Sequence, residues 1–448
     1  MSKKATVYRA AWVLPVSAPP LAGGALRVGT TGRIEAVGPE ARVSADDARI
    51  VDLGDALIAP GLVNVHAHPE LTVLRGRLED IEFSGWINKL TELKYDVLTP
   101  EATRASTWLG VAEAIAAGVT CMAAPDDAGF LLEAMVDSGL RGRVYREVFG
   151  PDPDQAAESL AGIGAKIDEM RPQCNDRVDV GISPHAPYTV SDRLFEALAD
   201  YADASGIHVC IHAAESEAEE RFVRDGTGPF AERLAARGIG VEPQNMSPIA
   251  KLAEVGILAA RPLLVHCVQV DSSDIEAIAE HGASIAHCPI SNAKLGHGVA
   301  PLPDFITAGI AVGLGSDSVV SNNRVDILEE ARFAALQQRS HRREAELLNP
   351  AELLNLATLE GARALGLADT VGSLEVGKDA DFIAVRLGAP HLTPTGDPVS
   401  ALFHSAGFGD IALTVVAGQV LYRDGEFVTL DFPALADAAR TYKLVDAE

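Results

Sequence analysis

The stretch GLVNVHAHPEL, residues 61–71, places His66 and His68 two positions apart at the end of a short apolar run. Side chains two positions apart on a β-strand point to the same side, so both imidazoles can reach one point in space. A pair of this kind also arises by chance, and a single histidine at a strand end is more often a structural residue. The pair therefore needs partners elsewhere in the chain before it indicates a metal site.

From about residue 60 onward, strand-like and helix-like segments alternate. The strand-like segments are short, β-branched and apolar on both faces, as expected for a parallel sheet covered by helices. They read LIAPGLVNVH, GVTCMAA, GRVYREV, VDVGISP, IHVCIHA, PLLVHCV, ASIAHCP and IAVGLGSD. Eight such segments, separated by patterns with apolar residues at i, i+3 and i+4, predict an α/β fold of the (β/α)8 TIM-barrel type. A doubly wound open sheet is the alternative on this pattern alone.

Both ends of the chain have a different character. TVYRAAWVL and GRIEAVGP near one end, and DFIAVRL and DIALTVVAGQVLYRDGEF near the other, predict short strands joined by glycine turns. We therefore predict a small β-sandwich domain built from both termini, residues 1–58 and 367–448. The barrel is predicted to comprise residues 59–366.

Composition limits the partners that we expect. The 448 residues suit a barrel with a second module, and the formal net charge of −26 disfavours binding to nucleic acid. No apolar run approaches the roughly 20 residues of a membrane span, and the first residues lack the apolar core of a signal peptide. We expect a cytoplasmic protein that acts on a small molecule and binds neither nucleic acid nor membranes.

Polar side chains end four more of the predicted strands: His185, His212, His266 and Asp317. In a barrel of this type the carboxyl ends of the strands form the active-site face. Together with the opening histidine pair, His212 and Asp317 make a set of three imidazoles and one carboxylate. Such a set suits Zn²⁺, with Fe²⁺ or Mn²⁺ as alternatives. A bridged two-metal site would need a lysine or an acid at the end of strand four, and VDVGISPH has neither, so we predict one metal.

Glu215 follows His212 by three residues. It is either an exposed acid in the first turn of a helix, where the helix dipole favours it, or a proton shuttle between water and a ring nitrogen of the substrate. The nearby metal site favours the shuttle. Glu217, Glu219 and Glu220 are expected on the solvated face of the helix.

Several motifs together resemble one known family. In chain order they are PGLVNVHAH, SPHAPYTV, IHAAE, LLVHC, CPISNAKLGHGVAPL, GLGSDSVVSNNRVDILEE and GSLEVGKDADFIAV. They resemble the amidohydrolase superfamily, and within it the branch of nucleoside and aminoheterocycle deaminases and triazine hydrolases. The resemblance covers nearly the whole chain. It implies a distorted (β/α)8 barrel with one catalytic divalent metal, a flanking β-sandwich, and a homodimer or larger homo-oligomer.

The resemblance also implies a role for each candidate residue. It gives the metal four ligands: His66, His68, His212 and Asp317. Asp317 is further implied as the base that takes a proton from the attacking water, and His266 as the residue that hydrogen-bonds the attacking hydroxide. Glu215 is implied as the acid that protonates the ring nitrogen beside the attacked carbon. His185 is implied as a substrate contact, often to the sugar of a nucleoside.

Substrate choice depends on the segment FSGWINKLTELKYDVLTPE. In the branch's deaminases of methylthioadenosine and S-adenosylhomocysteine, a glutamate in this segment binds the ribose hydroxyls. Aligned on Leu98 and Thr99, that position is Tyr95 here. Trp86 either stacks on the base or packs the loop. GRVYREVFGPDPD and GILAARPLLVHCVQVDSSDI resemble instead deaminases of aminodeoxyfutalosine, which carries a bulky 5′ extension. Arg146 either contacts such a substrate or forms a surface salt bridge with Glu147 or another neighbour.

We therefore predict hydrolytic deamination of a 5′-modified adenine nucleoside. Aminodeoxyfutalosine comes first, followed by methylthioadenosine, S-adenosylhomocysteine and 5′-deoxyadenosine. The alternative on the same site is an s-triazine hydrolase or a pterin or guanine deaminase. A barrel without catalytic activity is disfavoured because the whole set of metal ligands is present.

Overall fold

The structure, a computed structural model, describes residues 4–442, and within them it contains seventeen strands and seventeen α-helices. The strands are β1 (Thr6–Val13), β2 (Leu21–Val28), β3 (Ile34–Pro39), β4 (Arg49–Asp52), β5 (Ala56–Pro60), β6 (Leu62–Asn64), β7 (Val119–Asp126), β8 (Arg141–Val148), β9 (Val178–Pro184), β10 (His208–Ala213), β11 (Leu263–His266), β12 (Ser284–His287), β13 (Val312–Leu314), β14 (Phe382–Arg386), β15 (Ile411–Val416), β16 (Gln419–Arg423) and β17 (Glu426–Phe427).

The helices are α1 (Phe83–Glu92), α2 (Pro100–Ala116), α3 (Leu131–Ser138), α4 (Ala156–Met170), α5 (Asp192–Ser205), α6 (Glu217–Asp225), α7 (Pro229–Ala236), α8 (Pro248–Glu254), α9 (Ser272–His281), α10 (Pro289–Lys294), α11 (Leu302–Thr307), α12 (Val319–Asn322), α13 (Ile327–Arg342), α14 (Pro350–Asn355), α15 (Gly361–Ala364), α16 (Pro398–His404) and α17 (Phe432–Thr441). Short 3₁₀ and π-helical turns join some of them. No helix among residues 4–442 is both long enough and apolar enough to cross a membrane.

Strands β6 to β13 form one parallel sheet in which each strand pairs with the next along the chain. The first and last strands also meet, because Val65 N–H donates to Leu314 O at 3.0 Å and Ala67 bridges Asp317 in parallel register. The sheet is therefore a nearly closed barrel, which confirms the predicted fold class and excludes the open doubly wound sheet.

The other nine strands form one mixed sheet from both ends of the chain, in the order β17-β16-β15-β14-β5-β1-β2-β3, with β4 paired to β1. β5 pairs antiparallel with β14, so the two termini meet in one hydrogen-bonded unit. The predicted strand LIAPGLVNVH divides at Gly61, so that β5 belongs to this sheet and β6 to the barrel. A side chain on Gly61 would collide with Thr120. The predicted boundaries at 58/59 and 366/367 stay predictions.

Amphipathic helices cover the outside of the barrel. The spacing of apolar residues predicts five helices, and these form α2, α4, α5, α9 and α13. The predicted segments are EATRASTWLGVAEAIAAG, DQAAESLAGIGAKIDEM, SDRLFEALADYADASG, DSSDIEAIAEHG and DILEEARFAALQQR. In α5, Leu194, Leu198 and Ala202 lie four residues apart and are buried on one face. Burying a leucine side chain stabilises the fold by roughly 1.5–3 kcal/mol, so these faces hold each helix against the strands. The rigid sheet then positions the residues at its carboxyl ends.

Candidate active site

The carboxyl ends of the barrel strands bring the predicted metal ligands together. His66 and His68 follow β6, His212 lies near the end of β10, and Asp317 follows β13. The ring of His66 lies 4.9 Å, between centroids, from the rings of His68 and His212. Asp317 Oδ1 lies 3.5 Å from His66 Nε2 and 3.6 Å from His68 Nε2. Four side chains from three distant parts of the sequence thus face one point.

The state of His66 tests whether this point suits a cation. The side chain is fully buried, and neither ring nitrogen has a hydrogen-bond partner. Burial lowers the pKa of His66 to about 4, so the imidazole is neutral at physiological pH. An unpaired polar group is costly inside a protein, and a coordinate bond to a metal would satisfy it. The residues therefore fit a divalent metal.

Possible ligand atoms fall into two groups that share His66. One contains His66, His212 and His266, and the other contains His66, His68 and Asp317, with the ligand atoms in each group within 4.8 Å of one another. His266 is thus as close to the centre as the predicted ligands are. Its Nδ1 lies 2.9 Å from Asn292 Oδ1, which only accepts, so that nitrogen carries the proton and Nε2 faces the centre.

Two outer contacts orient the ligand imidazoles. His212 Nδ1 donates to the carbonyl oxygen of His185 at 3.0 Å, which leaves Nε2 free for a metal. His68 Nδ1 lies 3.3 Å from Glu70 Oε1. Although burial opposes it, the Glu70 carboxylate raises the pKa of His68 to about 9. Contacts of this kind are typical of metal-binding histidines, whose second ring nitrogen is held by a carbonyl or a carboxylate.

Asp317 is held from the side opposite to the imidazoles. Its Oδ2 accepts hydrogen bonds from the hydroxyl groups of Ser291 and Ser321, the latter at 2.9 Å, and leaves Oδ1 toward the histidines. Although burial opposes ionisation, the neighbouring imidazoles hold the pKa of Asp317 well below its ordinary value. Its φ of +55° is unusual for a residue other than glycine, and backbone strain of this kind is common at functional sites.

Glu215 lies at the turn after β10 and is buried. Its Oε1 is 3.2 Å from His297 Nε2 and 3.7 Å from His266 Nε2. Although burial opposes ionisation, these two histidines lower the pKa of Glu215, so it is a carboxylate in the resting site. The exposed helix acid considered from the sequence is therefore excluded, and a buried carboxylate stands beside the metal-ligand cluster.

The expectation for Glu219 was wrong. This side chain is fully buried, where it accepts hydrogen bonds from Ala214 N–H at 2.9 Å and Glu215 N–H at 2.8 Å. The turn after β10 directs these two amides inward, and one carboxylate satisfies both. Burial raises the pKa of Glu219 to about 8. Glu217 is exposed as expected, and Glu220 pairs with Arg224 at the surface.

A cleft of about 420 Å³ leads to the metal-ligand cluster. Its inner end carries His68, His185, His212, Glu215, His266 and Asp317, and its aromatic walls are Phe83, Trp86, Tyr188 and Phe230. The rings of Tyr188 and Phe230 stack 3.9 Å apart, and Trp86 lies 6.2 Å from Phe83 with nearly parallel planes. Flat aromatic walls with a few polar groups at one end suit a flat heterocyclic ligand.

His185 presents one nitrogen to this cleft. Its Nδ1 lies 2.9 Å from the Thr189 hydroxyl, which itself donates to Ala186 O at 3.1 Å. The hydroxyl therefore accepts from His185, whose Nδ1 carries the proton. Burial lowers the pKa of His185 to about 3. The ring is thus neutral, and Nε2 is left as a hydrogen-bond acceptor.

Of the predicted substrate contacts, Tyr95 is largely exposed and Arg146 lies outside the main cleft. Tyr95 lines the cleft, but it is 56% exposed, and its hydroxyl donates to Asp127 Oδ2 at 2.6 Å. Arg146 lines a separate, adjoining pocket of about 360 Å³ and donates to the carbonyl oxygen of Asp126 at 2.9 Å. Among residues 4–442 the structure records no Arg146–Glu147 salt bridge and does not bring Arg146 into the main cleft.

Sequence reasoning missed a group of charged residues beside the cluster. Lys94 Nζ lies 3.3 Å from Glu70 Oε1, 3.0 Å from Asp127 Oδ1 and 3.9 Å from Glu147 Oε2. Glu70, two residues after His68, was the only member with a local signal. The others come from separate elements and meet only in the folded chain. His297 was also missed, although it lies inside one of the quoted motifs.

Known proteins resemble the chain over almost its whole length. Residues 57–421 match the model of the Amidohydrolase family. A 5-methylthioadenosine/S-adenosylhomocysteine deaminase of Moorella thermoacetica is 31% identical over 425 residues, 94% of each chain. The structure of an adenosine deaminase from Xanthomonas campestris with bound zinc has a TM-score of 0.87 and 32% identity, over 97% of each chain. An atrazine chlorohydrolase from Arthrobacter aurescens, complexed with zinc, has a TM-score of 0.84 over 97% of this chain and 99% of that one; at 23% identity it shows a shared fold alone.

Proposed function

The chain belongs to the amidohydrolase family and is a hydrolase of carbon–nitrogen bonds, and we propose that it deaminates an adenine nucleoside with a modified 5′ position. One observation carries this proposal. The buried Glu215 carboxylate stands 3.7 Å from His266, next to the metal-ligand cluster, at the inner end of an aromatic-walled cleft. A flat base that enters the cleft would bring a ring nitrogen to Glu215 and the neighbouring carbon to the cluster.

We assign the metal to His66, His68, His212 and Asp317. Zinc is favoured because three imidazoles and a carboxylate suit it and because the Xanthomonas campestris relative was solved with zinc; iron and manganese are the alternatives. A divalent metal at such a site supplies a nucleophile at neutral pH by lowering the pKa of water toward 7.

The two carboxylates divide the proton transfers between them. Glu215 is unprotonated at rest, so it takes the first proton from the attacking water and delivers it to the ring nitrogen. The Asp317 carboxylate takes the second proton and passes it to the amine. The oxygen bonds to the ring carbon, the carbon–nitrogen bond breaks, and ammonia leaves. Both protons of water are then accounted for, one on the ring and one on ammonia.

His266 and His185 position the reactants. His266 Nε2 lies near Glu215 Oε1 and the ligand cluster, where it can hydrogen-bond the oxygen that attacks. His185 offers a neutral acceptor from the cleft wall, which suits a sugar hydroxyl of the substrate. Trp86 lies on the aromatic wall and is placed to pack against the base.

The 5′ group is the finer part of the proposal. The relative from Moorella thermoacetica bears the names of methylthioadenosine and S-adenosylhomocysteine, which supports a sulfur-linked 5′ group here. The motif resemblance to aminodeoxyfutalosine deaminases supports a bulkier extension. The cleft volume of about 420 Å³ is compatible with either one.

Ammonia release from a substrate panel tests the function. Zinc-loaded protein is assayed with adenosine, 5′-deoxyadenosine, methylthioadenosine, S-adenosylhomocysteine and aminodeoxyfutalosine, and with guanine, a pterin and atrazine. We expect turnover of one or more 5′-modified adenosines, with Glu215→Gln as the inactive control. Turnover confined to guanine, pterin or atrazine by metal-loaded protein would overturn the nucleoside proposal in favour of that alternative.

A further inference from the structure

Glu147 is a buried carboxylate without a hydrogen bond among the described residues. It is the next-to-last residue of β8, its side chain is only 2% exposed, and the nearest cation, Lys94 Nζ, lies 3.9 Å from Oε2. Glu147 lines both the main cleft and the adjoining pocket. Burial raises its pKa to about 7, as expected for a carboxylate without N–H or O–H donors around it. The mechanism above does not use this group.

The polar groups that the structure describes around Glu147 are bound to other carboxylates and donate no hydrogen bond to it. Lys94 is engaged by Glu70 at 3.3 Å and Asp127 at 3.0 Å, both closer than Glu147. The hydroxyl of Tyr95 is also committed to Asp127. Lys94 is thus shared among three carboxylates and is farthest from Glu147. Hydrogen-bond donors for Glu147 would therefore come from the cleft that it lines.

We infer that Glu147 accepts hydrogen bonds from the 2′ and 3′ hydroxyl groups of the substrate's ribose and so sets the preference for ribonucleosides. Two adjacent hydroxyls match the two oxygens of one carboxyl group. Donating to both oxygens favours its ionised form, and hydrogen bonds to a charged acceptor are stronger than those between neutral groups. The inference rests on the proposed function, since the hydroxyls belong to a nucleoside.

The helical segment that contains Tyr95 supplies no carboxylate to the cleft at that position. The segment after α1 has a tyrosine where deaminases of the resembling branch have a ribose-binding glutamate, and its hydroxyl points to Asp127 instead. Glu147 and Tyr95 line the same part of the cleft, together with Phe149. A carboxylate from β8 thus stands beside the position that the helical segment leaves without one.

The experiment compares methylthioadenosine, or the panel nucleoside with the highest kcat/KM if that is a different one, with its 2′-deoxy and 3′-deoxy analogues. Zinc-loaded wild type, Glu147→Gln and Glu147→Ala are assayed for kcat/KM on each. We expect the wild type to prefer the ribonucleoside by about tenfold or more over each analogue, the size of one charged hydrogen bond. Both variants should reduce this ratio to within a few-fold of one. They should turn over the dideoxy analogue, which lacks both hydroxyls, as fast as the wild type.

Asp126→Asn is the matched control. Asp126 is equally buried at the end of the neighbouring strand β7, but it accepts from Ala128 N–H at 3.1 Å and Gly129 N–H at 2.9 Å and does not line the cleft. This variant should keep the wild-type ratio. Zinc content and Tm are measured for all variants. If Glu147→Ala does not fold, Glu147→Gln, which preserves the side-chain volume, decides the test.

The outcomes separate this inference from the proposed function. If the wild type deaminates the chosen nucleoside but shows no preference for it, or if both Glu147 variants keep the preference, the role of Glu147 is wrong and nucleoside deamination stands. If the zinc-loaded wild type deaminates none of the panel nucleosides, the proposed function fails, and the inference fails with it.

Discussion

At the inner end of the cleft, all four proposed metal ligands lie on or directly after a barrel strand, whereas α1 and α7 supply much of the outer wall. The inner residues are buried or nearly so, and hydrogen bonds to the carbonyl of His185 and to serine hydroxyls hold two of them in place. Tyr95, at the outer end, is 56% exposed. Helices and turns can change in length and sequence without disturbing the sheet.

We expect the inner end of the cleft to control the chemical step and the outer end to control the choice of substrate. Changes at the inner end should lower kcat on every substrate, because they alter groups that move protons or hold the metal. Changes at the outer end should alter KM and the ranking of substrates, with kcat nearly constant.

The largest effect is expected for Asp317→Asn. The substitution removes a charged metal ligand and the acceptor of the second proton, so kcat should fall by about 10³-fold or more on all substrates. Rates by ammonia release and metal content by elemental analysis check it. Activity near that of the wild type with metal bound would remove Asp317 from the mechanism.

Glu215→Gln should come next. The amide cannot carry a proton from water to the ring nitrogen, and kcat should fall by about 10²–10⁴-fold while the metal stays bound. Kinetics on two substrates with different 5′ groups should give the same loss. Metal lost from this variant would make Glu215 a ligand, and a loss confined to one substrate would contradict the division.

Glu219→Ala should have a smaller effect on kcat, about tenfold, because it acts through Glu215. It leaves the amides of Ala214 and Glu215 buried without an acceptor, which costs about 1–3 kcal/mol for each group. The measurements are kcat, KM and Tm. Glu219→Gln keeps one acceptor and should recover most of the rate; equal losses in both variants would argue against positioning through these amides.

The same side chain predicts a pH dependence of stability. Its pKa is raised from 4.5 to about 8 in the fold, so its neutral form is favoured there. This stabilisation is full below about pH 4.5 and is lost as pH rises through about 8, at roughly 1.4 kcal/mol for each pKa unit. Urea unfolding from pH 5 to 8 should therefore show wild-type stability falling relative to Glu219→Gln. Parallel curves would contradict the raised pKa.

Tyr95→Phe should have the smallest effect. It removes the 2.6 Å hydrogen bond to Asp127 at a partly exposed position, so KM should change by about two- to fivefold and kcat hardly at all. Steady-state kinetics on adenosine and methylthioadenosine check it. A tenfold loss of kcat would show that the outer wall takes part in the chemical step.

The strand ends were the predictable part of the site. His66, His68, His212, His266 and Asp317 could be placed on one face because parallel strands in a barrel end on the same side. Helix patterning failed for Glu219, because its position on α6 looked solvated while two inward amides of a neighbouring turn required an acceptor. Arg146 follows the same strand pattern as Glu147, yet it lies outside the main cleft. Side chains alternate along β8, so adjacent residues face different surroundings.

Hydrophobic periodicity and the direction of parallel strands can be read from local sequence, so the barrel, the β-sheet built from both termini and the residue types at the strand ends could be predicted. The meeting of charged groups depends on the folded chain: Lys94 contacts Glu70 and Asp127, Glu215 contacts His297, and Glu147 has no hydrogen-bond donor among the described residues. The pKa and the hydrogen bonds of a buried group depend on every element packed around it, and those elements are far apart along the chain.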